Sequence, residues 1–200
     1  FLRRSPRWSH DLANLGHLTH YGHDRIRTYS QRPFASIQEH DEALIENWNK
    51  CVQPEDEAYH LGDFAFAHPL RIKEILRQLN GKKYLLRGNH CKEFRDGKRL
   101  YKEVLEEGLF LWIKDYFELP ILSLKKARAI LFHYPIESWN GRARGAPMFH
   151  GHSHNSLKQP DWHKRLDIGV DSAAEKLGTY RPFSLDEALA LVANKTTTPI

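Results

Sequence analysis

The sequence predicts an α/β or α+β fold, and three consecutive segments carry the prediction. A short run, Glu57 to Leu61, ends at Gly62-Asp63 and reads as a buried strand that delivers an aspartate at its C-terminal end. Pro69 then opens a helix in which Ile72, Ile75, Leu76 and Leu79 recur at helical spacing until Asn80-Gly81 stops it. Lys83 to Arg87 returns as a second strand and runs into Gly88-Asn89-His90, so strand, ligand loop, helix and strand alternate.

The remaining elements follow from local chemistry. Ser36-Ile37-Gln38-Glu39 has the form of a capping box, and Ile37, Leu44, Ile45 and Trp48 place one apolar side on the helix behind it, which ends near Cys51 to Pro54. A helix is expected from about Lys98 to Glu107. Leu111 to Leu119, Ala129 to His133, Pro147 to His150 and Arg165 to Val170 have strand-like composition and predict a second sheet. Ser184 to Glu187 is another capping box, opening a last helix through about Val192, with a frayed tail at 195–200. Residues 1–17 hold Arg3, Arg4, Pro6, Arg7, His10 and Asp11 without a sustained apolar run, so this atypical N-terminal segment is not expected to form a strand.

The 200 residues, 40% hydrophobic with scattered prolines and glycines, suit a single domain over 1–200 with a full-sized core. Apolar runs fall well short of the roughly 20 residues that cross a bilayer, and no signal segment opens the chain, so a cytoplasmic protein without membrane contact is expected. Cys51 and Cys91 are too few for a disulfide framework and fit a reducing compartment. The net charge of +5 is dispersed in small groups such as Lys82-Lys83, Lys125-Lys126 and Arg142 with Arg144. These read as solvated surface, and no helix-turn-helix or RNA-binding signature accompanies them.

Oxygen and nitrogen ligands recur in five separated places: Leu18-Thr19-His20-Tyr21-Gly22-His23, Gly62-Asp63, Gly88-Asn89-His90, His133 within Leu131-Phe132-His133-Tyr134-Pro135, and Gly151-His152-Ser153-His154. In an extended segment His152 and His154 would face the same side and serve two neighbouring ions. Taken together and in this order, the motifs resemble the calcineurin-like metallophosphoesterases, and in particular a bacterial subgroup of small single-domain enzymes. The resemblance runs from about Thr19 to Asp186.

That resemblance implies two packed mixed β-sheets flanked by helices, a four-layer sandwich, and a pair of divalent ions of Mn, Fe, Ni or Zn. Such ions, about 4 Å apart, clamp a phosphate and activate water. It places Asp63 between the ions, one held further by Asn89, His133 and His152, the other by His20 and His154. His90 would protonate the leaving oxygen, and His23 would touch the substrate or lie at the surface. Two departures stand out: Leu18 occupies the position of a ligand aspartate, with Asp11, His17 and Asp24 as less favoured substitutes, and Cys91 replaces the acidic residue that usually follows the acid histidine. A cysteine nucleophile at Cys91 is disfavoured, Arg32 reads as half of a structural ion pair, His150 as a supporting histidine, and Trp139-Asn140-Gly141 as a candidate pocket wall.

The expected activity is hydrolysis of a phosphate monoester or diester, weakened by Leu18. The alternative is a relic that holds one ion or a phosphorylated ligand without turnover. Nucleic acid enters only as a substrate, a basic nucleic-acid-binding module being the least favoured reading, and nothing in the sequence fixes the oligomeric state.

Overall fold

The computed structural model of the chain describes residues 13–16, 18–121, 127–158 and 163–195. The atypical segment 1–12, the alternatives Asp11 and His17, the pair Lys125-Lys126 and the tail 196–200 lie outside the described residues.

Two mixed sheets pack face to face. The first has the order β4-β3-β2-β1-β9, from Trp112–Lys114, Lys82–Leu86, Glu57–His60, Ala13–Gly16 and Phe183–Ser184. Strands β1 to β4 run parallel and β9 antiparallel. The second has the order β5-β6-β7-β8, from Tyr116–Ile121, Ala127–Phe132, Met148–His150 and Arg165–Asp167, with β5 antiparallel and the rest parallel.

Three helices, α2 (Ile37–Cys51), α3 (Pro69–Gln78) and α4 (Arg99–Glu106), bury Leu44, Trp48, Ile72, Ile75, Leu76, Leu100 and Val104 with Ala58, Leu85 and Ile113 of the first sheet. The alternate faces of those strands, through Leu15, Tyr59, Leu61 and Leu86, meet Leu119, Ala129, Leu131, Phe149 and Leu166 of the second sheet. Into that inter-sheet core α6 (Leu185–Val192) inserts Leu185, Ala188 and Val192. The outer face of the second sheet is covered by a thin layer, in which Trp139 packs on Ile130 and Met148 and donates its indole N–H to Ala146 O at 2.8 Å. Trp139 is thus packing, and Asn140 and Gly141 line a separate cavity of about 700 Å³ away from the ligand loops.

Several expectations change in detail. Residues 13–16 do form a strand: Ala13-Asn14-Leu15-Gly16 is buried throughout, because it lies between β2 and β9 and borrows apolar surroundings its own composition lacks. Leu111 to Leu119 divides at Asp115 into β4 of one sheet and β5 of the other. The Arg165 to Val170 run stops at Asp167, since Val170 begins a helix, α5 (Val170–Leu177). Ser36 accepts the amide of Glu39 at 3.0 Å, but Glu39 Oε2 reaches back to Ala35 N rather than Ser36 N, so the first capping box is only half formed. The second is complete at Ser184 and Glu187. No helix among the described residues is long and apolar enough to cross a membrane.

His60, at the end of β2, is buried against Phe64 and Thr19, and burial pushes its imidazole down to about 3. Its folded value is depressed, so its contribution to stability is complete above about pH 6.5, the unfolded value, and is lost as pH falls from there toward about 3. His60→Gln should therefore flatten the dependence of unfolding free energy on pH between pH 6.5 and 5 by up to about 1.4 kcal/mol per pH unit. Urea unfolding in chelator at several pH values measures this, and identical slopes in both proteins would refute it.

Candidate metal centre

All five ligand-bearing loops leave C-terminal ends of parallel strands, the place where open α/β sheets collect ligands. β1, β2 and β3 end in register, Gly16 opposite His60 and His60 opposite Leu85. β1 is followed by Leu18 to His23, β2 by Gly62-Asp63, and β3 by Gly88 to His90. From the second sheet β6 is followed directly by His133 and β7 by Gly151 to His154. Backbone bonds lock the loops together: His20 N to Asp63 O at 3.2 Å, Tyr21 N to Phe64 O at 3.0 Å, and Gly151 N to His133 O at 3.0 Å.

Two glycines make the approach possible. A Cβ on Gly62 would lie 2.5 Å from His133 Nδ1 and 2.7 Å from Gly88 N, and one on Gly88 would lie 2.3 Å from Asp63 Oδ1 and 2.6 Å from His133 Cε1. Gly62 also has φ +97°, a region that L residues avoid. Around this contact Leu18, His20, Asp63, His152 and His154 all adopt left-handed φ between 46° and 63°. Such non-glycine residues each cost about 1–3 kcal/mol and cluster at functional sites.

Asp63, His133 and His152 form a group whose ligand atoms lie within 4.8 Å of one another, a possible metal-binding triad. His133 Nε2 is 3.5 Å from Asp63 Oδ2 and 2.8 Å from Asn89 Oδ1, and His152 Nδ1 is 3.0 Å from the same Asn89 oxygen. His133 Nδ1 lies 2.9 Å from the carbonyl of Leu61, which can only accept, so the proton of the neutral ring sits on Nδ1. Burial lowers the pKa of His133 in spite of the Asp63 carboxylate, so Nε2 presents a lone pair toward the Asn89 oxygen. Converging lone pairs repel one another and satisfy a cation, and the donor set therefore fits a divalent ion.

His20 and His154 stand beside this group. Their rings stack at 5.0 Å, and His20 Nε2 is 4.0 Å from Asp63 Oδ2. Both ring nitrogens of His20 are buried without a hydrogen-bond partner, and burial, then the charges of His154 and Arg32, hold its pKa well below the usual imidazole range. His154 Nδ1 donates to Asp171 Oδ2 at 2.9 Å, leaving Nε2 free to ligate. His152 and His154 do not share a face. With φ of 63° and 46° the tetrapeptide is a turn, and it sends His152 toward His133 (5.1 Å between centroids) and His154 toward His20.

His90 is exposed; its ring lies 4.6 Å from Phe66 and 6.2 Å from His20, and its backbone N–H donates to Asp63 Oδ1 at 2.9 Å. His23 also stacks on Phe66, at 4.3 Å. Cys91 is buried, its Sγ accepts Asp63 N–H at 3.3 Å, and burial raises its thiol to about 11, so it supports the loop as a thiol and offers no thiolate nucleophile. His150 is fully buried beneath the Gly151 turn. Leu18 is fully buried, 3.1 Å from where a Cβ on Gly169 would sit, and brings no ligand atom to the group. Asp24, a possible substitute, is exposed and paired with Arg27 instead.

Sequence reasoning missed two carboxylates. Asp167 accepts from Ser153 Oγ at 2.6 Å, Asn155 N at 3.0 Å and Gly169 N at 2.7 Å, and so shapes the histidine turn from beneath. Asp171 takes a two-point bond from Arg32, at 2.7 and 2.9 Å, while it orients His154. Their positions at the end of β8 and in the first turn of α5, within Asp167-Ile168-Gly169-Val170-Asp171, were the available signal.

No protein-family model matches the chain. An uncharacterized protein of Methanocaldococcus jannaschii is 28% identical over 177 residues, 87% of each chain. Among solved structures, a protein of unknown function from Aquifex aeolicus is 24% identical with a TM-score of 0.64, over 90% of this chain and 98% of that one, a likeness of fold. Vps29 from Entamoeba histolytica gives a TM-score of 0.38 at 14% identity, over 72% and 64%.

Gly88→Ala should weaken binding of a first Mn²⁺ by about tenfold or more, the range for disturbing the support of a ligand, because the new methyl displaces Asp63 and His133 together. Calorimetric titration of the folded variant, checked by circular dichroism, measures this. Unchanged affinity would show that the two loops do not form the site.

Proposed function

We propose that this protein is a calcineurin-like metallophosphoesterase, a metal-dependent hydrolase of phosphate esters. The observation that supports this most strongly is the meeting of Asp63, Asn89, His133 and His152 from four separate loops, with their lone pairs turned toward one another. Bound divalent ions would polarise the phosphoryl group and lower the pKa of water.

The chain's own groups then have distinct tasks. Asp63 lies between the His133 side and the His20 side of the centre, where its carboxylate can serve both. Asn89, His133 and His152 would hold one ion together with Asp63, and His20 and His154 would help to hold a second. His90, exposed and lining the cavity beside Phe66, is placed to act as the acid: water would add its oxygen to phosphorus and give up a proton to solvent, the ester P–O bond would break, the alcohol would leave with a proton from His90, and the ring would regain one from solvent. His23, stacked on Phe66 and lining the same cavity, is placed to touch the ester's organic part.

Leu18 favours a second reading, in which one ion is firmly held and turnover is absent. The second position has two histidines and a shared aspartate but no carboxylate of its own. The two readings separate by experiment. Hydrolysis of p-nitrophenyl phosphate or its bis-ester with Mn²⁺, Ni²⁺, Zn²⁺ or Mg²⁺ is expected, together with metal analysis between one and two ions per chain. Leu18→Asp should raise the content toward two and raise turnover. One ion per chain and no hydrolysis by either protein would favour the silent reading and remove the hydrolase proposal.

A further inference from the structure

We propose that the ester accepted here carries a single phosphate on a flat, uncharged apolar group, seated between Tyr29 and Leu157. The inference rests on the phosphoesterase reading of the centre and specifies its substrate class.

The centre opens into a cavity of about 840 Å³. That is within the usual range of small-molecule sites, about 300–1,000 Å³. Its floor is His20, His90, His152 and His154, its wall Phe66, Ile26 and Pro135. At the mouth stand Tyr29, from α1 (Asp24–Tyr29), and Leu157, from the loop after β7. These two are 69% and 39% exposed, so two unrelated elements each present a large apolar side chain to solvent at the same opening. A single exposed apolar residue has no meaning, whereas several apolar groups lining one cavity over a polar floor mark a binding surface.

Charge narrows the ligand further. Among the described residues no lysine, arginine, aspartate or glutamate lines this cavity. Arg87 lines a different cavity and is committed to Asp96 and Asp115, and Arg32 is buried with Asp171. A polyphosphate or a nucleic-acid strand brings further negative charges that need lysine or arginine contacts. The histidine floor accounts for one phosphate; beyond it Ile26, Tyr29, Phe66, Pro135 and Leu157 offer apolar contact, and the polar groups among them, His23, Ser30, Ser153 and Ser156, include no lysine or arginine. A planar ring suits them best, because Tyr29 offers an aromatic face and Leu157 an aliphatic one.

The test compares phenylphosphonate with methylphosphonate, which share one non-hydrolysable head group, by calorimetric titration of the full chain in Mn²⁺. Phenylphosphonate should bind about tenfold tighter. Tyr29→Ala and Leu157→Ala, both surface changes, should each cut that preference severalfold and leave methylphosphonate affinity unchanged. Equal affinities, binding of neither, or a preference that survives in both variants would overturn the proposal. So would tight, salt-sensitive displacement of phenylphosphonate by a short single-stranded oligonucleotide. The outcome is independent of turnover: an aryl preference with no hydrolysis of any ester removes the hydrolase reading alone, and hydrolysis without the preference removes this inference alone.

Discussion

One buried ion pair holds the loops of this site in register. Arg32, only 4% exposed, donates to both oxygens of Asp171, to the carbonyls of Leu18 and Thr19 at 2.8 and 3.0 Å, and to His40 Nε2 at 2.8 Å. A guanidinium only donates, so His40 accepts at Nε2 and gives its Nδ1 proton to Asp41, whose carboxylate in turn accepts Gly22 N. The chain of bonds runs from α2 through the first ligand loop to Asp171 and ends on His154. Removing either charge would leave the other buried and unpaired, a loss of about 3–5 kcal/mol. The pair therefore matters less as a net source of stability than as a constraint on where Leu18, His20 and His154 sit.

That constraint explains which features the sequence made legible. Helices α2, α3, α4 and α6 were readable because each buries one stripe, at Leu44 and Trp48, Ile72 to Leu76, Leu100 and Val104, and Leu185 to Val192. Strand β1 was not, because four residues, one of them the buried Asn14 and one a glycine, carry too little pattern; their burial is decided by β2 and β9 on either side. The break at Asp115 escaped for a similar reason: Trp112 to Ile121 is a continuous run of strand formers, and only the pairing partners divide it between two sheets.

The site shows the same division. The convergence of Asp63, Asn89, His133 and His152 was legible because polar residues that directly follow strands are conspicuous in the sequence. The direction of each ring could not. An alternation rule put His152 and His154 on one face, yet left-handed φ at both turned them apart, and it is Asp167 beneath the turn and Asp171 beside it that hold this geometry. Those supports are carboxylates from β8 and the start of α5, distant in sequence, and no local pattern assigns them to a histidine.

Leu18 bears on both themes. A leucine in left-handed conformation costs about 1–2 kcal/mol, yet its φ of 54° matches that of His20 at 52° in the same loop. The conformation persists because it is imposed from outside the residue, by Arg32 on the Leu18 carbonyl, by the bonds of His20 and Tyr21 to the β2 loop, and by Gly169 packing on the side chain. The backbone is thus fixed without any ligand atom from position 18. The group of Asp63, Asn89, His133 and His152 draws nothing from position 18. Position 18 and the group around Asp63 are therefore separable, although one scaffold carries both.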